Sequence, residues 1–260
     1  MRTLKITLAY DGTSFVGWQR QAEGVSIQGL VEEALGRLEQ GPVAVTGAGR
    51  TDAGVHALGQ VASARIASPH DGDSIRRALN AMLPPEVRVL CVEDVPDGFH
   101  ARFSARAKTY QYWILVGEVA SPFAFRFAWQ CRGPLDVEAM AAAARQLEGR
   151  HDFAAFQSAG SSVVTTERTV LTSALSRAAA PVVPLTAAPV MPGADLLVYE
   201  ICGDGFLRHM VRAIVGTLVE IGRGRLAVSD MSAILSDRDR GRAGPTAPAC
   251  GLCLARVDYR

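Results

Sequence analysis

The chain has 260 residues, 48% hydrophobic and 20% charged, enough apolar material for a sizeable core and too much for an intrinsically disordered chain. Its 27 Lys and Arg against 26 Asp and Glu give a formal charge of +1, which excludes a polybasic or polyacidic tail as its main feature, so any nucleic-acid surface must be local. Only Lys5 and Lys108 are lysines; the arginine bias suits phosphate and base edges, but it also follows from a GC-rich genome and identifies no site.

The first residues carry Arg2 and Lys5 and run through Ile6, Leu8 and Tyr10 into Asp11-Gly12, without the apolar core of a signal peptide, so a cytoplasmic protein is expected. Leu4, Ile6 and Leu8 alternate with polar neighbours and predict a strand that ends at that turn. A helix is expected from about Ser26, its N-cap, because Ile27, Leu30, Val31, Ala34, Leu35 and Leu38 recur at three and four residues. Gly41-Pro42 stops it. Residues 43–46 read as a short strand, 47–54 as a glycine-rich loop, 60–66 as a strand, 73–82 as a helix ended by Pro84-Pro85, and 87–92 as a strand.

A second half begins with a strand at 108–116, with Tyr110, Tyr112 and Ile114 on one face and Thr109, Gln111 and Trp113 on the other. A helix at 137–147, strands at 166–176 and 196–202, an amphipathic helix at 207–221 and a closing strand at 252–259 follow. Residues 178–198 are apolar but hold Pro181, Pro184, Pro189 and Pro192, so they read as a surface loop leading into a strand rather than a membrane span. The order of elements suggests two related α+β halves, 1–106 and 107–260.

Cys91, Cys131, Cys202, Cys250 and Cys253 are odd in number and scattered, which argues against a disulfide framework. Cys250 and Cys253 form a C-x-x-C, but with no second pair or nearby His pair they read as buried small side chains rather than a zinc site. The densest chemical signal is Gly47-Ala48-Gly49-Arg50-Thr51-Asp52-Ala53-Gly54-Val55-His56-Ala57, where glycines let a ligand approach the Asp52 carboxylate. It lacks the Gly-Lys-Ser/Thr ending of a P-loop and does not continue as G-x-x-G before a helix. Spacing alone also allows a plain turn aspartate on a glycine-rich connection. His56 has no partner at useful ligand spacing and reads as a structural hydrogen bonder.

This loop resembles the signature of the tRNA pseudouridine synthase A family, and other blocks extend the resemblance over essentially the whole chain. They are Tyr10-Asp11-Gly12 with Phe15, Gly17-Trp18-Gln19 and Gln28; Phe99-His100-Ala101-Arg102-Phe103 with Lys108-Thr109-Tyr110-Gln111-Tyr112; His151-Asp152-Phe153 with Phe156; Phe206-Leu207-Arg208-His209-Met210-Val211-Arg212 running into Ile214-Val215-Gly216; and Gly251-Leu252. The resemblance implies an α+β pseudouridine synthase fold, with joined, mainly antiparallel sheets and a central basic cleft. It implies an isomerase that breaks the C1′–N1 bond of a uridine, turns the base and rejoins C1′ to C5. By resemblance Asp52 is the carboxylate acting at the sugar, by attack on C1′ or by removal of a C2′ proton; Tyr110 stacks on the uracil and takes the C5 proton; Arg212 keeps Asp52 ionised; and Leu252 walls the base. Neither metal nor cofactor is required.

The same resemblance implies a homodimer acting on uridines at tRNA positions 38, 39 and 40, in the anticodon arm, with no membrane involved. Read from spacing alone, Tyr110 is strand packing, Arg212 a solvated residue beside the stripe of Leu207, Val211, Ile214 and Leu218, and Leu252 a core leucine. Arg50 could pair with Asp52 or insert beside a flipped nucleotide. Arg102, Arg106 and Lys108 lie in an acid-free stretch between Gly98 and Gly117, and four arginines face only Glu220 between Phe206 and Arg225. The rival readings are a synthase of the same fold acting on another RNA site, an inactive RNA-binding protein or chaperone, and a base-removing glycosidase. A glycosidase would need a second carboxylate, and none has a comparable setting.

Overall fold

The computed structural model describes residues 1–119, 121–158, 163–178 and 194–259. In chain order the elements are β1 (Arg2–Tyr10), α1 (Ile27–Glu39), β2 (Val45–Gly47), β3 (His56–Ile66), α2 (Gly72–Met82), β4 (Val87–Val95), β5 (Ala107–Val116), β6 (Trp129–Cys131), α3 (Val137–Arg145), β7 (Gly149–Asp152), β8 (Glu167–Arg177), β9 (Asp195–Gly203), α4 (Met210–Gly222), α5 (Asp230–Asp237) and β10 (Leu252–Asp258). They fall into two compact units, Met1–Arg106 with Cys253–Arg260, and Ala107–Leu252. Most of the surface-loop expectation for 178–198 lies outside the described residues. Among the described residues no helix is long and apolar enough to cross a membrane.

In the first unit β1 is central, antiparallel to β3 on one side and β4 on the other. Its alternation has the expected result: Leu4, Ile6, Leu8 and Tyr10 are buried while Lys5, Thr7 and Ala9 are more open. Register shifts near Leu8 interrupt both ladders at the end of β1, where the chain leaves the sheet toward the Asp52 loop. α1 starts as expected, Ser26 Oγ accepting from the Gly29 amide at 3.2 Å, a cap worth about 1 kcal/mol against alanine. It buries Ile27, Val31, Ala34 and Leu35. Asp71 caps α2 in the same way, through the Ser74 amide at 2.7 Å.

The closing strand was expected in the second half, but from Cys253 onward it belongs to the first unit, where β10 pairs in parallel with β3 through Cys253 and His56. That pairing joins residues nearly 200 positions apart, which local periodicity does not register. It also explains why β3 begins at His56 rather than at residue 60: the partner strand supports its first residues.

In the second unit β5 is antiparallel to β9, β9 to β8 and β8 to β7, while β6 adds to β5 in parallel. The fold class is α+β with mainly antiparallel strands, as expected. α3 packs on β8 and α4. α4 is buried at all but two of its thirteen positions, so it is a core helix rather than an amphipathic surface one. It starts three residues later than the spacing predicts. His209 takes a left-handed φ of 62°, and its Nδ1 lies 2.7 Å from Ser158 Oγ, a bond that offsets the cost of that backbone. The short β6, β7 and α5 were not expected.

Candidate active site

The Asp52 loop runs between β2 and β3 and is held from both sides of Thr51. Thr51 C=O accepts from the Trp18 amide at 3.1 Å, and Thr51 Oγ1 lies 2.8 Å from the Tyr10 hydroxyl. Gln60 Nε2 donates to Gly49 C=O at 3.0 Å and reaches Tyr10 Oη at 3.4 Å. Burial raises the Tyr10 pKa above the ordinary phenol range against its hydrogen bonds to Thr51 and Gln60, so the group stays a neutral O–H. Val55 N–H closes the turn on Asp52 C=O at 3.1 Å. Thr51 and Val55 are buried, Asp52 is half-buried and Arg50 is exposed. The carboxylate therefore sits on a fixed backbone at the edge of solvent, with an exposed cation two residues before it.

Glycine is needed at two places in this mount. Gly17 has φ +102°, and a Cβ there would stand 2.5 Å from Thr51 O and 2.9 Å from the Asp52 carbonyl carbon. A Cβ on Gly47 would fall 2.4 Å from Trp18 Nε1, so the loop lies directly on a fully packed indole. His56 behaves as the expected structural hydrogen bonder: its Nδ1 accepts from the Gly12 amide at 3.0 Å. Neither Tyr10 nor Gln60 was assigned a role from sequence. A signal for Tyr10 existed, since strand parity puts it on the inward face with Leu4, Ile6 and Leu8, where a hydroxyl must find a partner. Tyr10→Phe is expected to cost about 1–2 kcal/mol in urea unfolding, and to lower turnover more than RNA affinity by loosening Thr51. Unchanged stability and turnover would remove the clamp from the account.

In the second unit Tyr110 lies on β5, opposite Ile201 of β9. It is 7% exposed, and its ring meets Phe206 edge to face with centroids 5.1 Å apart and planes at 83°. Such a pair contributes about 0.5–1.5 kcal/mol and fixes the ring. Phe206, quoted in the resemblance without a role, is thus its support. Tyr112, two residues on, is fully buried with its hydroxyl donating to Pro248 C=O at 2.8 Å, as a packing residue should be.

Arg212 is on the first turn of α4 and half-buried, not a solvated helix residue. Its Nε–H donates to Ala247 C=O at 2.8 Å, and its own C=O accepts from the Ala247 amide at 3.1 Å, so the plane of the guanidinium is set. Leu252 is 6% exposed at the start of β10. The first unit thus holds Asp52 and Arg50, and the second holds Tyr110, Arg212 and Leu252.

The basic stretch between Phe206 and Arg225 is weaker than charge counting suggests. Arg223 and Arg225 both pair with Glu220, at 2.8 and 3.0 Å. Although burial opposes its ionisation, those two arginines hold the Glu220 carboxyl below its usual range. Cys250 and Cys253 are protonated packing groups, since burial raises the first and pushes the second up to about 12. Among the described residues no three His, Cys, Asp or Glu side chains are grouped as metal ligands would be.

A family model described as tRNA pseudouridine synthase matches residues 6–104 and 143–260. The chain is 45% identical over 265 residues to "tRNA pseudouridine synthase A" of Solibacter usitatus (strain Ellin6076), and 46% identical over 261 residues to the protein of that name from Moorella thermoacetica (strain ATCC 39073 / JCM 9320), with 100% of both chains covered in each case. It is 43% identical over 259 residues to another from Syntrophotalea carbinolica (strain DSM 2380 / NBRC 103641 / GraBd1), covering 100% of this chain and 97% of that one.

Proposed function

Because this chain belongs to the tRNA pseudouridine synthase family, we propose that it isomerises uridine to pseudouridine in the anticodon arm of tRNA, at positions 38, 39 and 40. Asp52 acts at the sugar, as nucleophile toward C1′ or as base toward the C2′ proton. The C1′–N1 bond breaks, the uracil turns, and C5 bonds to C1′, displacing the Asp52 ester in the first case and with the proton returned from Asp52 to C2′ in the second. Tyr110 takes the proton from C5, and a proton ends on N1, so no atom is gained or lost. Arg212 is the cation that the resemblance assigns to the same chemistry. Arg50 and Leu252 serve the nucleotide, one as a fork next to Asp52 that inserts beside the flipped nucleotide, the other as an apolar wall for the base.

The observation that best supports this reading is the mount of Asp52. A carboxylate fixed through Thr51 by Tyr10 and Trp18, yet half-open, suits a group that must meet a sugar carbon repeatedly in one geometry. A base buried in a structured arm must leave its stack to reach it. The same reading has the protein working as a homodimer in the cytoplasm, with one tRNA contacting both subunits.

The test is release of tritium from C5-labelled uridine in tRNA transcripts. A transcript with uridine at positions 38–40 should release it, and one with cytidine there should not. Equal release from both would refute the assigned positions. Affinity should also fall steeply with salt, because docking relies on arginines against the backbone. A flat response in filter binding over a tenfold range of salt would contradict that docking.

A further inference from the structure

Phe103 is 76% exposed, the most exposed aromatic ring of the first unit among the described residues. A single exposed ring needs no explanation by itself. This one, however, is held on a turn whose amides are all but used up. His100 N–H donates to Ser104 Oγ at 3.1 Å, Ser104 N–H to His100 C=O at 2.9 Å, and Ala101 N–H to Ser63 Oγ at 3.2 Å. The amides of Arg102 and Phe103 both donate to His100 Nδ1, each at 3.2 Å. Nδ1 therefore carries no proton, and the imidazole is fixed beneath the turn. Tyr259 Oη anchors the base of the turn by donating to Ala101 C=O at 2.7 Å.

The ring itself is positioned as firmly as its backbone. The His100 imidazole stacks on it with centroids 4.3 Å apart and planes 30° apart, and the Arg102 guanidinium carbon lies 5.7 Å from its centroid. The nearest acid in sequence, Asp97, is bonded to Thr3 Oγ1 at 3.2 Å, and no further acid occurs before Gly117. A fixed, largely exposed ring beside arginines is a poor fit for solvent and a good one for a nucleobase: the ring offers stacking to any base, and Arg102 and Arg106 offer cations to its phosphates.

We propose that Phe103 is a stacking platform for one unpaired base of the RNA substrate, backed by His100 and flanked by Arg102. The platform rests on the reading that this protein acts on tRNA. It reads no sequence, because every base has a π face. It acts in docking, on the unit that carries Asp52.

Filter binding of an unmodified tRNA transcript tests it with four variants. Phe103→Ala should weaken affinity about tenfold or more, and Phe103→Leu nearly as much, since leucine keeps apolar bulk without a stacking face. Phe103→Trp should bind at least as tightly as the parent. Arg102→Ala should reduce the salt slope by about one, whereas Phe103→Ala should leave it unchanged. Because the ring is exposed, all four should melt with the parent. Affinity of Phe103→Ala within twofold of the parent, or of Phe103→Leu equal to it, would overturn the platform. Pseudouridine is scored on the same parental preparation. A parent that isomerises while Phe103→Ala binds normally overturns the platform alone. A parent that binds without isomerising, with Phe103→Ala still weak, overturns the isomerase reading and leaves the platform standing.

Discussion

Asp52→Asn is expected to reduce pseudouridine formation below about one-thousandth of the parental rate while tRNA affinity stays within about threefold. The two side chains have nearly the same shape, so the substitution removes charge and basicity rather than volume. Thr51 is bonded to Trp18 and Tyr10 through its own atoms, and Asp52 enters the turn through its backbone C=O to Val55. The variant should therefore unfold close to the parent, and the loss should fall on turnover rather than on the folded fraction. An amide can neither form the ester that attack on C1′ requires nor accept the C2′ proton, so the expectation holds for both roles. A clean Asp52→Asn preparation that turned over within tenfold of the parent would remove Asp52 from the chemistry.

The second large effect is at Tyr110. Tyr110→Phe keeps the ring that meets Phe206 edge to face and deletes only the phenol. Affinity should survive, while release of tritium from C5-labelled uridine should fall at least about a hundredfold. Tyr110→Ala removes the ring from a nearly buried strand position, so affinity, stability and tritium release should all drop. The contrast between the two variants separates stacking from deprotonation. If Tyr110→Phe released tritium at close to the parental rate, the phenol would not be the base and Tyr110 would revert to a stacking or packing residue.

What could be read from the sequence was set by range. The β1 alternation, the Ser26 cap of α1 and the Pro84 stop after α2 are local signals, and the structure follows them. The placement of β10 beside β3 and the extension of β3 to His56 depend on partners far along the chain, and no window of neighbouring residues contains them. β5 shows the same limit on a smaller scale. Thr109 and Trp113 on one face are as buried as Tyr110 and Tyr112 on the other, so hydropathy alternation says nothing about which face serves a ligand.

The site followed the same division. Asp52 stood out because three glycines surround it, whereas Tyr110, Arg212 and Leu252 came from the resemblance alone and look ordinary by spacing. Their supports, Phe206 and Ala247, are close only after folding. Charge counting failed at Glu220, where one carboxylate holds two arginines that linear composition counts as available cations.

The most direct measurement is a base-resolved map of pseudouridine in unmodified tRNA transcripts after incubation with the parental protein and with Asp52→Asn, using a chemical label that marks only that base. The account expects the label at positions 38, 39 and 40 wherever these are uridine with the parent, and none there with Asp52→Asn. No label with the parent, or the same label with both proteins, would contradict it.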